Sequence, residues 1–215
     1  MYKRQDYRVE DTWYNVGLRG TGSNDVVVDD AFVPAYRSVK LKEISDGTAP
    51  GRQVITGDIY RLPGRARNHE IIAPALGAAR GALAHWIEWS RGRTSNRDGK
   101  VFTSDVFRQA GTSQVESDLD AVELVMRANL DRIRHGGPID ESTRALIHAS
   151  GARSFRRICD ATTELLRMGG ASALFDENPI QRAWRDVHSI GNHGSLNAWA
   201  SAAHRGEILL TPGEY

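Results

Sequence analysis

Hydrophobic and polar positions follow two different rhythms along this chain, and the change falls near residue 70. Before it lie short β-branched runs broken by Gly, Pro and Asp; after it lie long segments of helical period. The run Asp25 to Val33 reads as a strand stopped by Pro34, with Val39-Lys40-Leu41 and Gln53-Val54-Ile55 as weaker strand candidates. Three such strands make a poor sheet on their own.

Beyond residue 70 the pattern predicts four helices. The first runs from Ile71 to Ser90 and carries Ala73, Gly77, Gly81 and Ala84 along one side, small residues that permit another helix to approach. The second is expected to open at Ser113, with Glu116 completing a capping box and Val115, Leu119, Val122, Met126 and Ile133 on one stripe. The third begins at Asp140 after the Gly136-Gly137-Pro138 turn, turns Ile147, Phe155, Ile158, Thr162 and Leu165 inward, and stops at Gly169-Gly170. A fourth is expected from Pro179 to Leu209. Four long helices with short connections predict an antiparallel bundle, giving a mainly α chain with a partial β-domain over 1–70 and a helical bundle over 71–215.

Composition narrows the function without naming it. Lys and Arg number 28 against 27 Asp and Glu, a net charge of +1, and no basic block or acidic tail invites nucleic acid or a membrane surface. Cys159 is the single cysteine, so no intrachain disulfide forms and a cytoplasmic location is expected. The first thirteen residues lack the apolar stretch of a signal peptide, and no apolar run approaches the roughly 20 residues that span a bilayer.

Several motifs carry candidate chemistry. Gly17-Leu18-Arg19-Gly20-Thr21-Gly22 superficially suits a phosphate loop, but a strand follows it where a dinucleotide fingerprint needs a helix, so a tight glycine turn is expected. Gly169-Gly170 serves as a helix C-cap, and paired glycines also leave backbone N–H groups open to a ligand. On a continuous helix His188 and His193 would lie about 140° apart, which argues against a shared metal site, and no metal is expected. Gly191 and Gly194 flank Asn192 and His193, a weakening of the helix that often accompanies a close ligand. Arg182, Arg185 and Asp186 read as a solvated ion-pair cluster, and Arg91 and Arg93 as surface charges.

Three segments, in order, resemble the acyl-CoA-dehydrogenase-like proteins. GLRGTGSNDVVVDDAFVP (Gly17 to Pro34) is similar to the end of the family's β-domain, Gln114 to a glutamine on its second bundle helix, and GGASALFDENPIQRAWRDVHSIGNH to its double-glycine and Arg-Asp signature. The resemblance covers nearly the whole chain and corresponds to the C-terminal half of such an enzyme, with the N-terminal helical domain and first β-domain strands lying outside it. Most dehydrogenases of the family carry a catalytic glutamate eight or nine positions after the arginine matched by Arg185; here that count lands on His193-Gly194. Histidine at this place looks like the two-component flavin monooxygenases of the same fold. In these, a separate flavin reductase supplies reduced flavin (FMNH2 or FADH2), and a flavin C4a-hydroperoxide transfers oxygen to an aromatic substrate, phenolic or steroid-derived. The resemblance thus implies that His193 is catalytic on the flavin-facing side of the last helix, while Asp186 supports the bundle through an arginine. Arg91, Arg93, Gln114, Gly169 and Gly170 would hold the flavin, partly across the interface of a homotetramer. The connection Thr94 to Phe107 departs from the dehydrogenases' Arg-x-x-Phe-Gly pattern. An acyl-CoA dehydrogenase and a non-catalytic helical oligomerisation module stand as the alternatives.

Overall fold

A computed structural model describes residues 6–46, 48–55, 57, 69–96, 98–134 and 139–213. Strands β1 (Tyr7–Glu10) and β2 (Asp25–Val28) pair antiparallel, Tyr7 opposite Val28 and Glu10 opposite Asp25. The expected long strand thus ends five residues early, because Asp30 takes a positive φ of 44° that turns the backbone out of extension. β1 falls in a segment for which the pattern predicted no strand.

The two weaker strand candidates are corrected. Leu41 opens α1 (Leu41–Asp46), where the Glu43 carboxylate accepts from the Lys40 amide at 3.4 Å, and Gln53-Val54 close α2 (Gly51–Val54). Neither triplet has a neighbouring strand among the described residues, so local helical hydrogen bonds satisfy the backbone instead.

The bundle is built from α3 (His69–Arg91), α4 (Val106–Ile133), α5 (Glu141–Gly169) and α6 (Pro179–Ile190), with α7 (Ala198–Leu210) packed on α5. Every residue of the expected α4 stripe is buried, from Val115 to Ile133, and so are the five inward positions of α5. Asp140 caps α5 by accepting from the Thr143 amide at 2.6 Å, as its position before the apolar period predicts. The Gly136-Gly137-Pro138 turn lies outside the described residues.

Two helix boundaries differ from expectation. α4 starts seven residues before Ser113, because Asp105 accepts from the amides of Phe107 and Arg108 and caps the helix there. Ser113 is an exposed residue in the helix interior. The predicted fourth helix is two helices: α6 ends at Gly191, a 3₁₀ turn spans Gly194–Leu196, and Asn197 caps α7 by accepting from the Ala200 amide. A Cβ on Gly191 would stand 3.0 Å from the Phe155 ring, so the chain passes α5 too closely there for another residue type without a shift.

The small stripe of α3 also faces away from expectation. Ala73, Gly77, Gly81 and Ala84 are exposed, whereas Ile72, Ala75, Ala79, Ala82 and Trp86 meet the core.

Candidate functional site

The sequence-predicted residues separate into two groups at opposite ends of α3. Ile71 and Arg91 stand twenty residues apart on that helix, about 30 Å along its axis.

At the first end, His193 sits in the loop between α6 and α7 rather than on a helix face. It caps the 3₁₀ turn: Nδ1 receives the Ser195 amide at 3.3 Å and lies 2.8 Å from Ser195 Oγ. Because a backbone N–H only donates, Nδ1 is an acceptor, and the proton of the neutral ring resides on Nε2. His193 lines a hollow of about 530 Å³ with Trp13, Leu18, Ile71, Ile190 and Asn192, its Nδ1 being the nitrogen engaged by the cap. Its lining among the described residues bears no Asp, Glu, Lys or Arg.

The facing wall is the glycine turn, and α6 holds it directly. Asp186 Oδ1 accepts the Leu18 amide at 2.6 Å, and Arg185 Nη1 donates to the Val16 carbonyl at 2.7 Å. These residues thus clamp backbone, where the sequence suggested a solvated cluster and a purely arginine-mediated role for Asp186. Gly17 is required by proximity, since its Cβ would lie 2.3 Å from the Arg185 carbonyl oxygen. Leu18 adopts a left-handed φ of 57°, a conformation costing a non-glycine residue roughly 1–2 kcal/mol. Its carbonyl is held by the Trp13 indole at 2.8 Å and by Thr21.

The second end is an aromatic cluster gripped by arginines. Trp86, Trp89 and Phe102 have ring centroids 5.8–6.4 Å apart; the Arg93 guanidinium lies 4.0 Å from the Trp89 centroid and that of Arg108 3.8 Å from Phe102. Phe102 returns to α3 because its amide donates to the Arg93 carbonyl, closing the turn after Thr94. Gly169 is buried against this cluster, its Cβ direction 3.8 Å from Trp89, and Gly170 takes φ 58° as the cap of α5. Arg91 is exposed, 3.5 Å from Glu88, and edges a cleft of about 420 Å³ with Trp86, Phe102, Arg108, Gln109 and Thr112. The structure therefore brings Arg91, Arg93, Gly169 and Gly170 to one end. Gln114 is exposed on α4 and does not line that cleft.

Sequence reasoning overlooked Trp13, Ser195 and Arg108. A tryptophan four residues before the glycine turn was a usable signal for the first; the other two depend on loop paths that periodicity does not report. Among the described residues no group of three His, Cys, Asp or Glu side chains could hold a metal, and no helix is long and apolar enough to cross a membrane.

With this geometry in hand, residues 70–198 match the family model described as acyl-CoA dehydrogenase, C-terminal domain, and the chain belongs to that family. It is similar to the flavin-dependent monooxygenase oxygenase subunit HsaA of Rhodococcus jostii (strain RHA1), with 33% identity over 218 residues, covering 99% of this chain and 56% of that protein. The FADH(2)-dependent resorcinol hydroxylase oxygenase component of Rhizobium sp. (strain MTP-10005) is 29% identical, covering 95% of this chain and 53% of that protein. The crystal structure of the HsaA monooxygenase from M. tuberculosis superposes with a TM-score of 0.85 at 33% identity, covering 99% of this chain and 56% of that one. The chain spans about half the length of these relatives.

Proposed function

We propose that this chain is the C-terminal part of the oxygenase component of a two-component monooxygenase, which uses reduced flavin from a separate reductase to hydroxylate a phenolic aromatic substrate. In this reading residues 1–70 end the β-domain and 71–215 form the bundle. The observation that carries the reading is His193, its Nδ1 held by Ser195, lining an uncharged, largely apolar cleft in the place where a dehydrogenase would need a carboxylate base. Resorcinol hydroxylase is an FADH2-dependent relative, and its substrate is a neutral phenol, which suits a lining without charge.

The residues present fit a flavin in two parts: an uncharged cleft for a ring at His193, and the arginine-rich end at Arg91, Arg93 and Arg108 for phosphate, where Gly170 leaves its backbone open and Gly169 makes room for Ala173 beside the tryptophans. A cofactor lying within one chain would not bridge the two ends of α3, which favours a homo-oligomer, a tetramer by the family resemblance, in which a second copy supplies one end. Gln114, exposed on α4, would then act at such a contact. When bound, reduced flavin activates dioxygen for transfer of one oxygen atom to the substrate ring. His193 Nε2–H donates to an oxygen at the reacting centre, Ser195 holds the imidazole in that tautomer, and Trp13, Leu18, Ile71 and Ile190 exclude water.

The test uses the full-length oxygenase with reductase and a phenol, comparing hydroxylated product with hydrogen peroxide released. His193→Ala is expected to lower product formed per flavin oxidised about tenfold or more, with unchanged melting, as when an oxygen-directed donor is removed. Equal coupling in the variant would remove His193 from the mechanism.

A further inference from the structure

The wall of the His193 cleft formed by residues 15–18 has no core of its own: of these side chains none is buried, and only the backbone of Gly17 is packed away. What fixes it is a set of hydrogen bonds from one helix. We infer that Asp186 is a positioning residue for the cleft, holding the left-handed Leu18 peptide so that the glycine turn stands opposite His193; this rests on the functional reading of that cleft.

The geometry is specific. The Leu18 N–H donates to Asp186 Oδ1 at 2.6 Å while the Leu18 carbonyl accepts from Trp13 Nε1 at 2.8 Å and from the Thr21 hydroxyl at 2.9 Å, so both polar groups of the residue are held. One turn further along α6, Ser189 and Ile190 line the same hollow, and Asn192 and His193 follow. A single helix therefore both builds one wall and pins the other, which keeps their separation independent of anything packed outside. Arg185 adds a second tie, donating to Val16 while its Nε is held by Gln181 Oε1 at 2.7 Å. A carboxylate suits the position because a charged acceptor makes a shorter and stronger bond to an amide that sits in a strained conformation. The Arg-Asp pair thus acts on cleft shape without touching a ligand, since neither side chain is among those lining the hollow.

The experiment uses the 215-residue chain, in wild-type, Asp186→Ala, Asp186→Asn and Trp13→Phe forms. Amide hydrogen exchange at Leu18 is measured together with the Trp13 indole N–H resonance, and phenol is titrated as the probe. Asp186→Ala is expected to speed Leu18 exchange about tenfold or more, shift the Trp13 resonance and weaken phenol binding several-fold, as loss of one charge-assisted bond predicts. Asp186→Asn, which keeps an acceptor oxygen, should largely restore all three. Trp13→Phe removes the bond to the Leu18 carbonyl without altering α6 and serves as a local control, while Asp186→Asn keeps the question answerable if Asp186→Ala folds poorly. Unchanged Leu18 exchange in Asp186→Ala, or an Asn variant as impaired as the Ala variant, would overturn the inference. If phenol perturbs nothing in the wild type, the functional reading of the cleft falls, while the clamp still stands or falls on Leu18 exchange.

Discussion

The bundle and the segment that precedes it are stabilised in different ways. From α3 onward, large side chains such as Trp86, Ile72, Leu119, Ile158 and Leu165 are almost fully removed from water and form one continuous cluster. Before residue 58, Gly17 is the one described residue classed as buried, while Phe32, Tyr36 and Leu41 stay about four-fifths exposed or more. Burial at roughly 25 cal/mol per Å² stabilises the first region, whereas the second relies on a two-stranded ladder and on hydrogen bonds to α6. The candidate cleft lies where the two meet, so one wall is rigid and the other is tied.

The largest expected effect follows from attacking the bundle. Trp86→Ala removes a side chain that is 1% exposed and whose indole donates to Thr112 Oγ1 at 2.8 Å, and it should cost about 3–5 kcal/mol, read from urea unfolding of the helical signal. A cost below 1 kcal/mol would erase the contrast between the regions.

Gly17→Val should do the reverse. A Cβ at 2.3 Å from the Arg185 carbonyl oxygen cannot be accommodated without a backbone shift, so the glycine turn should leave α6 and residues 6–57 should become readily cleaved in limited proteolysis. The bundle's own melting should change little, by less than about 1 kcal/mol, because so little of its core touches that segment. A proportionate loss of bundle stability would mean the two regions fold as one unit.

A smaller effect concerns acid. His69 opens α3 at 7% exposure, and among the described residues neither ring nitrogen has a hydrogen-bond partner. Burial first, and then the nearby His148 on α5, lower its pKa below the ordinary 6.5. With the folded value depressed, the unfolded chain binds the proton more tightly, so stability is complete above about pH 6.5 and falls as pH drops toward the folded value. Each unit of depression corresponds to about 1.4 kcal/mol. Denaturant melts between pH 7.5 and 5 should show this slope, and His69→Phe should flatten it.

The smallest effect on stability is expected at the other end of α3. Arg91 reaches Glu88 at 3.5 Å with both side chains largely in solvent, so Arg91→Ala should change stability by at most about 0.5 kcal/mol. Under the proposed function, any weakening of flavin binding in the full-length protein would then belong to the cofactor and not to the fold; unaltered affinity would remove Arg91 from the proposed cofactor site.

Periodicity made the bundle legible because burying an apolar stripe on a 3.6-residue repeat is a local sequence property. The stripes of α4 and α5, the Asp140 cap and the Gly169-Gly170 stop all stand where the pattern puts them. Residues whose state depends on what lies opposite were less legible. Nothing near Ser113 in sequence announces that Asp105 caps α4 instead, and Ala73, Gly77, Gly81 and Ala84 suit a contact that is not made among the described residues. Gly191 and Gly194 signalled that the last helix weakens, but the close passage of Phe155 under Gly191 is a tertiary fact.

By itself, then, the sequence determined the helical bundle, its inward faces and the placing of a histidine eight residues after Arg185. Only the tertiary structure decided that His193 leaves the helix and lines an uncharged cleft, that Asp186 reaches back 168 positions to hold Leu18, and that the arginine-rich end lies a helix length away. The reason is range: helical period and caps are set by neighbours within a turn or so, whereas a hydrogen bond between distant segments exists only once packing has brought them together.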